Sequence, residues 1–118
     1  MTKTRGDNYS TEFGLWTREQ DEIDSSLGYV ATDIDWMWRD YNTDNFMFIE
    51  EKRFMKDIEF WQKKSFDIIH KKFVGDKKYK GFHLLQFENT NPEDGKIFLN
   101  RKEITKEQLI NFLKFNKE

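Results

Sequence analysis

The sequence predicts one α/β (α+β) domain, a central mixed sheet of about four strands flanked by helices. Two aromatic-rich runs, 34–41 and 46–54, flank the turn residues Asn42-Thr43-Asp44-Asn45 and read as a hairpin. Residues 56–73 carry Ile58, Trp61, Ser65, Ile68, Ile69 and Phe73 at three- and four-residue steps, which is helical spacing. Short apolar runs follow at 81–87 (GFHLLQF) and 97–99 (IFL), each bounded by turn residues.

The remaining elements follow in order. Residues 1–9 are polar and aperiodic and read as a flexible start; residues 10–118 read as the single domain. A broken helix is expected over 10–25, capped by Ser10 or Thr11, with Phe13, Trp16 and Ile23 facing inward. Residues 27–31 read as a short strand or lead-in. Gly75 stops the 56–73 helix, and Asn89–Gly95, with the single proline, is a turn. Thr105 caps a last helix, with Gln108 completing a capping box and Leu109, Ile110, Phe112 and Leu113 supplying its apolar face.

Composition narrows the function. The chain has 118 residues, 17% aromatic and 36% charged, a balance that suits a compact domain with an aromatic interior and not a disordered one. The four tryptophans are read mainly as core, with Trp16 and Trp61 as alternatives for stacking on a base. With no cysteine there are no disulfides, thiolate metal sites or cysteine nucleophiles. No apolar run reaches the roughly 18 residues of a membrane span, and MTKTRGDNYS has no apolar signal core. A cytoplasmic protein with no membrane partner is the expectation. Phosphate-binding glycine loops and the G-x-S-x-G elbow are absent.

The net charge of −2 does not announce a nucleic-acid binder, but its distribution is uneven. Lys63, Lys64, Lys71, Lys72, Lys77, Lys78 and Lys80 face only Asp67 and Asp76 in the same stretch, which suits either a solvated helix face or a stripe that tracks phosphates. His70, among these lysines, is expected to face solvent. His83, between Phe82 and Leu84, is expected to be packed and satisfied, and two histidines without ligand spacing make no zinc site.

The chemistry-bearing residues sit at the open end of the hairpin. Asp33 and Asp35 precede its first strand and Glu50-Glu51-Lys52 closes its second. A two- or four-residue connection would pair Asp35 with Lys52 and Met37 with Glu50, placing Asp33, Asp35, Glu50 and Lys52 on one face. Each motif alone is also ordinary strand-end chemistry, a wet and mutually paired surface.

This order of helix, hairpin, helix and strand beside Asp35, Glu50 and Lys52 resembles the PD-(D/E)XK nuclease superfamily, in a small phage- or resolvase-like form. The resemblance covers roughly residues 10–90, with 91–118 as an addition. It implies a restriction-endonuclease-like core and a metal-dependent endo- or exodeoxyribonuclease. Asp35 and Glu50, with the Glu51 backbone carbonyl, would hold Mg²⁺ (or Mn²⁺), and Lys52 would orient the attacking water. Gln62 matches a supporting position on the following helix, and Glu12 or Asp33 an accessory acid, with Glu19 or Asp21 as further choices for the helical one. DNA, duplex or branched, would be the partner, tracked by Lys63, Lys64, Lys71, Lys72, Lys77 and Lys78. A domain this small suits a homodimer gripping its substrate. The alternative is a catalytically inactive protein of the same fold, an interaction or regulatory factor of phage type whose acidic cluster binds a basic partner.

Overall fold

The computed structural model describes residues 11–117; the expected flexible start at 1–9 and the Ser10 cap lie outside them. The chain divides into two compact units, residues 1–33 and 34–118.

In the first unit, helix α1 spans Glu12–Arg18 and is capped by Thr11, whose Oγ1 accepts from the Gly14 N–H at 3.0 Å. Two 3-10 turns follow, Asp21–Ile23 and Ser25–Leu27, and Gly28 ends the second at φ +102°. The expected inward face is not buried: Phe13 is 73% and Trp16 54% exposed, and the two rings stack on each other. Residues 27–31 form no strand.

The second unit is an α+β fold built on a mixed sheet. Strands β1 (Trp36–Arg39), β2 (Phe46–Lys52), β3 (Tyr79–Phe87), β4 (Ile97–Leu99) and β5 (Lys102–Ile104) lie in sequence order. All neighbours are antiparallel except β2 and β3, which run parallel and are joined through helix α2 (Phe60–Phe73). Among the described residues the sheet therefore has five strands, one more than the sequence suggested. The extra strand pairs with β4 across Asn100 and Arg101, both at positive φ, as a two-residue hairpin turn requires. An Asn-Arg pair is a weak signal for that turn, so it did not stand out in the sequence.

Side-chain alternation divides the core into two layers. On one face, Met47, Ile49, Leu85, Phe87 and Ile97 pack with Leu109 of helix α3 (Lys106–Leu113), joined by Phe112 and Leu113. The Thr105–Gln108 capping box opens that helix as expected, although Ile110 is left outside the core at 58% exposure. On the other face, Phe46, Phe48, Tyr79 and Phe82 meet Phe66 and Phe73 of α2, with Phe66 and Phe82 stacked at 4.3 Å.

A bulge keeps Tyr79 and Phe82 on the same face. Phe46 pairs with Tyr79 and Phe48 with Phe82, so β3 holds one residue more than β2 over that step. Gly81 supplies the turn at φ +105°, and a Cβ there would stand 2.8 Å from His83 Nε2.

Helix α2 starts at Phe60, four residues later than the sequence suggested, and its inward face is rotated. Gln62 and Phe66 are buried, whereas Trp61 and Ile68 are each 60% exposed. Trp36 is 50% and Trp38 39% exposed, so the reading of the tryptophans as core does not hold; aliphatic side chains fill one layer and phenylalanines the other.

Candidate active site at the carboxyl end of strand β2

The hairpin register differs from the expected one. Trp36 pairs with Ile49, Met37 with Phe48 and Arg39 with Phe46, because the connection runs from Asp40 to Asn45 with Asp44 at φ +64°. Extended one step, this register sets Asp35 opposite Glu50, where the expected one set it opposite Lys52. The shift is two residues, so the alternation of faces is unchanged.

Strand β1 begins at Trp36 because Asp35 ends the ladder. Its Oδ2 accepts from the Glu51 N–H at 2.9 Å, taking the place of a backbone acceptor. In a strand, the N–H and C=O of one residue point to the same side. The Glu51 carbonyl therefore points to the edge where β1 has stopped. The Glu51 side chain lies on the opposite face from Glu50 and accepts from Trp36 Nε1 at 2.8 Å.

Glu50, Lys52 and Gln62 form one hydrogen-bonded cluster. Gln62 Nε2 donates to Glu50 Oε2 at 3.2 Å, and Lys52 Nζ donates to Gln62 Oε1 at 3.0 Å. Lys52 Nζ also stands 3.4 Å from Glu50 Oε2. Glu50 is 1% exposed and Gln62 5%, so the attraction works in a low-dielectric setting. A second bond fixes Gln62: its Oε1 also accepts from the Glu59 N–H at 3.0 Å, which closes a capping box with Glu59 as the first residue. The start of α2 is thus built on the residue that holds the cluster together.

Beyond Lys52 the chain turns sharply. Phe54 and Met55 both adopt left-handed backbone conformations, at φ +57° and +56°. Their N–H groups donate to the carbonyls of Asn89 and Phe87, each at 2.9 Å. Gln86 pairs with Lys52 in the sheet, is buried, and donates from Nε2 to the Lys56 carbonyl at 2.9 Å. These bonds tie the 53–59 connection across the strand ends.

Glu50 also forms part of the wall of a pocket of about 310 Å³, bounded by Phe66, Phe82, Leu84, His70 and Arg101. Arg101 is held by Asp57 at 2.8 Å, and that hydrogen bond keeps the Asp57 carboxyl below the usual carboxylate range.

His83 lies on the opposite face of the sheet, in edge-to-face contact with Phe112. Its Nε2 meets the Lys80 carbonyl at 2.7 Å and its Nδ1 meets Asn100 Nδ2 at 2.9 Å. Asn100 Oδ1 accepts from the Leu84 N–H, which fixes the orientation of the amide. Nε2 therefore carries the proton, Nδ1 accepts, and the ring is held neutral. Burial lowers its pKa, and the charge of His70 adds to the effect. His83 is the packed, satisfied histidine the sequence suggested.

No family model, curated protein or solved structure matches the chain.

The other expected residues are placed as follows. Glu12, in the first turn of α1, and Asp33 belong to the first unit. Lys63, Lys64, Lys71 and Lys72 lie exposed along α2, and Lys77 and Lys78 lie exposed in the connection to β3. Lys63 pairs with Asp67 at 3.1 Å, and Lys64 lies over the Phe60 ring. His70 is exposed as expected, but its Nδ1 reaches the Tyr79 hydroxyl at 2.8 Å. Among the described residues no group of three or more carboxylate or histidine side chains converges as a metal site. Glu59 and Gln86 carry only weak signals in the sequence. A glutamate is an uncommon helix cap, while Gln86 stood as the lone amide in an apolar strand, a signal that could have been read.

Proposed function

We propose that this protein is a metal-dependent phosphodiesterase acting on DNA, with Glu50, Lys52 and Gln62 at its centre. The observation that carries this reading is the joining of these three side chains at the end of β2, with Asp35 one register step away, just before β1. A carboxylate, an ammonium and an amide held together in a largely buried cluster match the needs of phosphoryl transfer, where negative charge develops on oxygen.

The donor set fits a hard cation. Asp35, Glu50 and the Glu51 carbonyl offer oxygen ligands only, and Mg²⁺ takes few protein ligands while keeping several waters. A bound Mg²⁺ would supply charge neutralisation and a lowered pKa for a coordinated water. Lys52 would steady charge on the phosphoryl oxygens and orient the nucleophile. Gln62 would hold Lys52 and Glu50 at their separation, which leaves both groups pre-organised.

The exposed lysines of α2 extend from beside Gln62 toward the other end of the helix, roughly 14 Å along its axis at 1.5 Å per residue. They would track the backbone of the substrate. No helix among the described residues is long and apolar enough to cross a membrane.

The test is cleavage of linear, supercoiled, single-stranded and branched DNA with Mg²⁺ or Mn²⁺. Metal-dependent cutting by the wild type, lost in Lys52→Ala and in Asp35→Ala, supports the enzyme. Absence of cutting on every substrate, together with no affinity for DNA, would favour the regulatory protein of the same fold.

A further inference from the structure

The geometry points to a twofold-symmetric homodimer formed by antiparallel pairing of strand β1 with β1 of a second copy. Among the described residues β1 forms the outer edge of the sheet, and all four of its residues are exposed. It carries Trp36, Met37 and Trp38 at 50%, 57% and 39% exposure. Edge strands are commonly protected by lysine, proline or a bulge, and an apolar one is a template for pairing.

The hydrogen-bonding parity fits. The Asp40 N–H donates to the Asn45 carbonyl, and the Glu51 N–H is turned toward β1. Trp36 and Trp38 therefore direct their backbone groups to β2, while those of Asp35, Met37 and Arg39 face outward. Antiparallel pairing centred on Met37 makes those outward residues the hydrogen-bonded ones.

The charges fit the same register. Asp35-Trp36-Met37-Trp38-Arg39 is complementary to its own reverse. Pairing about Met37 sets Asp35 against Arg39 of the second copy twice, and Trp36 against Trp38 twice. Opposite charges directly across a strand pair stabilise it and like charges do the reverse. A slip of two residues would lose both charge pairs, so the register is specified. Arg39 now contacts Asp44 of its own chain at 3.0 Å, within reach of a shared arrangement.

A twofold axis perpendicular to the sheet keeps like faces together. Both Glu50–Lys52–Gln62 clusters would then face the same way, about 20 Å apart from strand spacing and residue rise. Asp35 serves both this interface and the proposed cation site, and Met37→Lys, outside that site, separates the two.

Sedimentation or light scattering on the full chain tests the proposal. The wild type should be a dimer. Asp35→Arg and Arg39→Asp should each be monomeric, because each sets like charges across the pair twice. Mixed one to one, the two variants should dimerise, since every crossing is then opposite in sign. Met37→Lys, a change at an exposed position, should also give a folded monomer by circular dichroism, which keeps the test decisive if a charge variant fails to fold. A monomeric wild type would overturn the proposal and leave the edge to a different partner. Dimers that persist in a folded Met37→Lys would overturn it too, by placing the interface elsewhere.

Discussion

Gln62 on helix α2 donates to the buried carboxylate of Glu50 on strand β2 at 3.2 Å, and the same amide completes the cap of its own helix. One side chain therefore couples the start of the helix to the residue pattern at the strand end.

Gln62→Ala should destabilise the fold by about 2–3 kcal/mol, since it removes a cap and strips partners from buried polar groups. Lys52→Met should cost about 3–5 kcal/mol, because it leaves a buried carboxylate without its cation. Combining Lys52→Met with Glu50→Gln should recover much of that loss. Urea unfolding of the single and double variants measures the coupling.

Stability should fall on mild acidification through His83. Its folded-state pKa lies below the ordinary value of 6.5, with burial as the main cause and the charge of His70 adding. The sign follows: the stabilisation is complete above about 6.5 and is lost as pH drops through the folded-state value. Urea midpoints measured from about pH 8 to pH 5 should decline in the wild type, and His83→Phe should reduce that slope. Proton titration of His83 by NMR should show it charging at lower pH than a free histidine.

Gly81→Ala should destabilise by about 1–3 kcal/mol, because an L side chain is strained at this backbone conformation. The added carbon also meets His83 Nε2 at 2.8 Å, so the His83 ring should shift in the NMR spectrum. Thermal unfolding checks the magnitude.

Phe54→Gly should melt higher than Phe54→Ala. Phe54 sits at φ +57°, both variants give up the same packing, and only glycine relieves the left-handed strain of about 1 kcal/mol. A loss of cleavage in the more stable variant would show that the turn after Lys52 is held in place for the site.

Much of this architecture was legible from local rules. The hairpin and the Thr105–Gln108 cap follow from turn and capping chemistry carried by adjacent residues; helix α2 does end just before Gly75, but that glycine is not in the left-handed conformation of a glycine cap. What was not legible depended on long-range packing. The inward face of α2 runs through Gln62, Phe66 and Phe73, yet Trp61 and Ile68 share the same periodicity, and only contact with Phe48 and Phe82 decides between them. The hairpin register turned on the length of the Asp40–Asn45 connection, which the turn residues alone left open. For the site, the spacing of Glu50, Lys52 and Gln62 pointed to residues that do meet, while the part played by Glu59 in positioning Gln62 came only with the coordinates.

Asp35 and Glu50 are proposed to hold a divalent cation beside Lys52. Mn²⁺ binding, followed by its electron paramagnetic resonance signal and by calorimetry, tests this most directly. Binding by the wild type is expected, with loss of binding in Glu50→Gln and Asp35→Asn and retained binding in Lys52→Met. No Mn²⁺ binding by the folded wild type, or binding that both carboxylate variants leave unchanged, would contradict it.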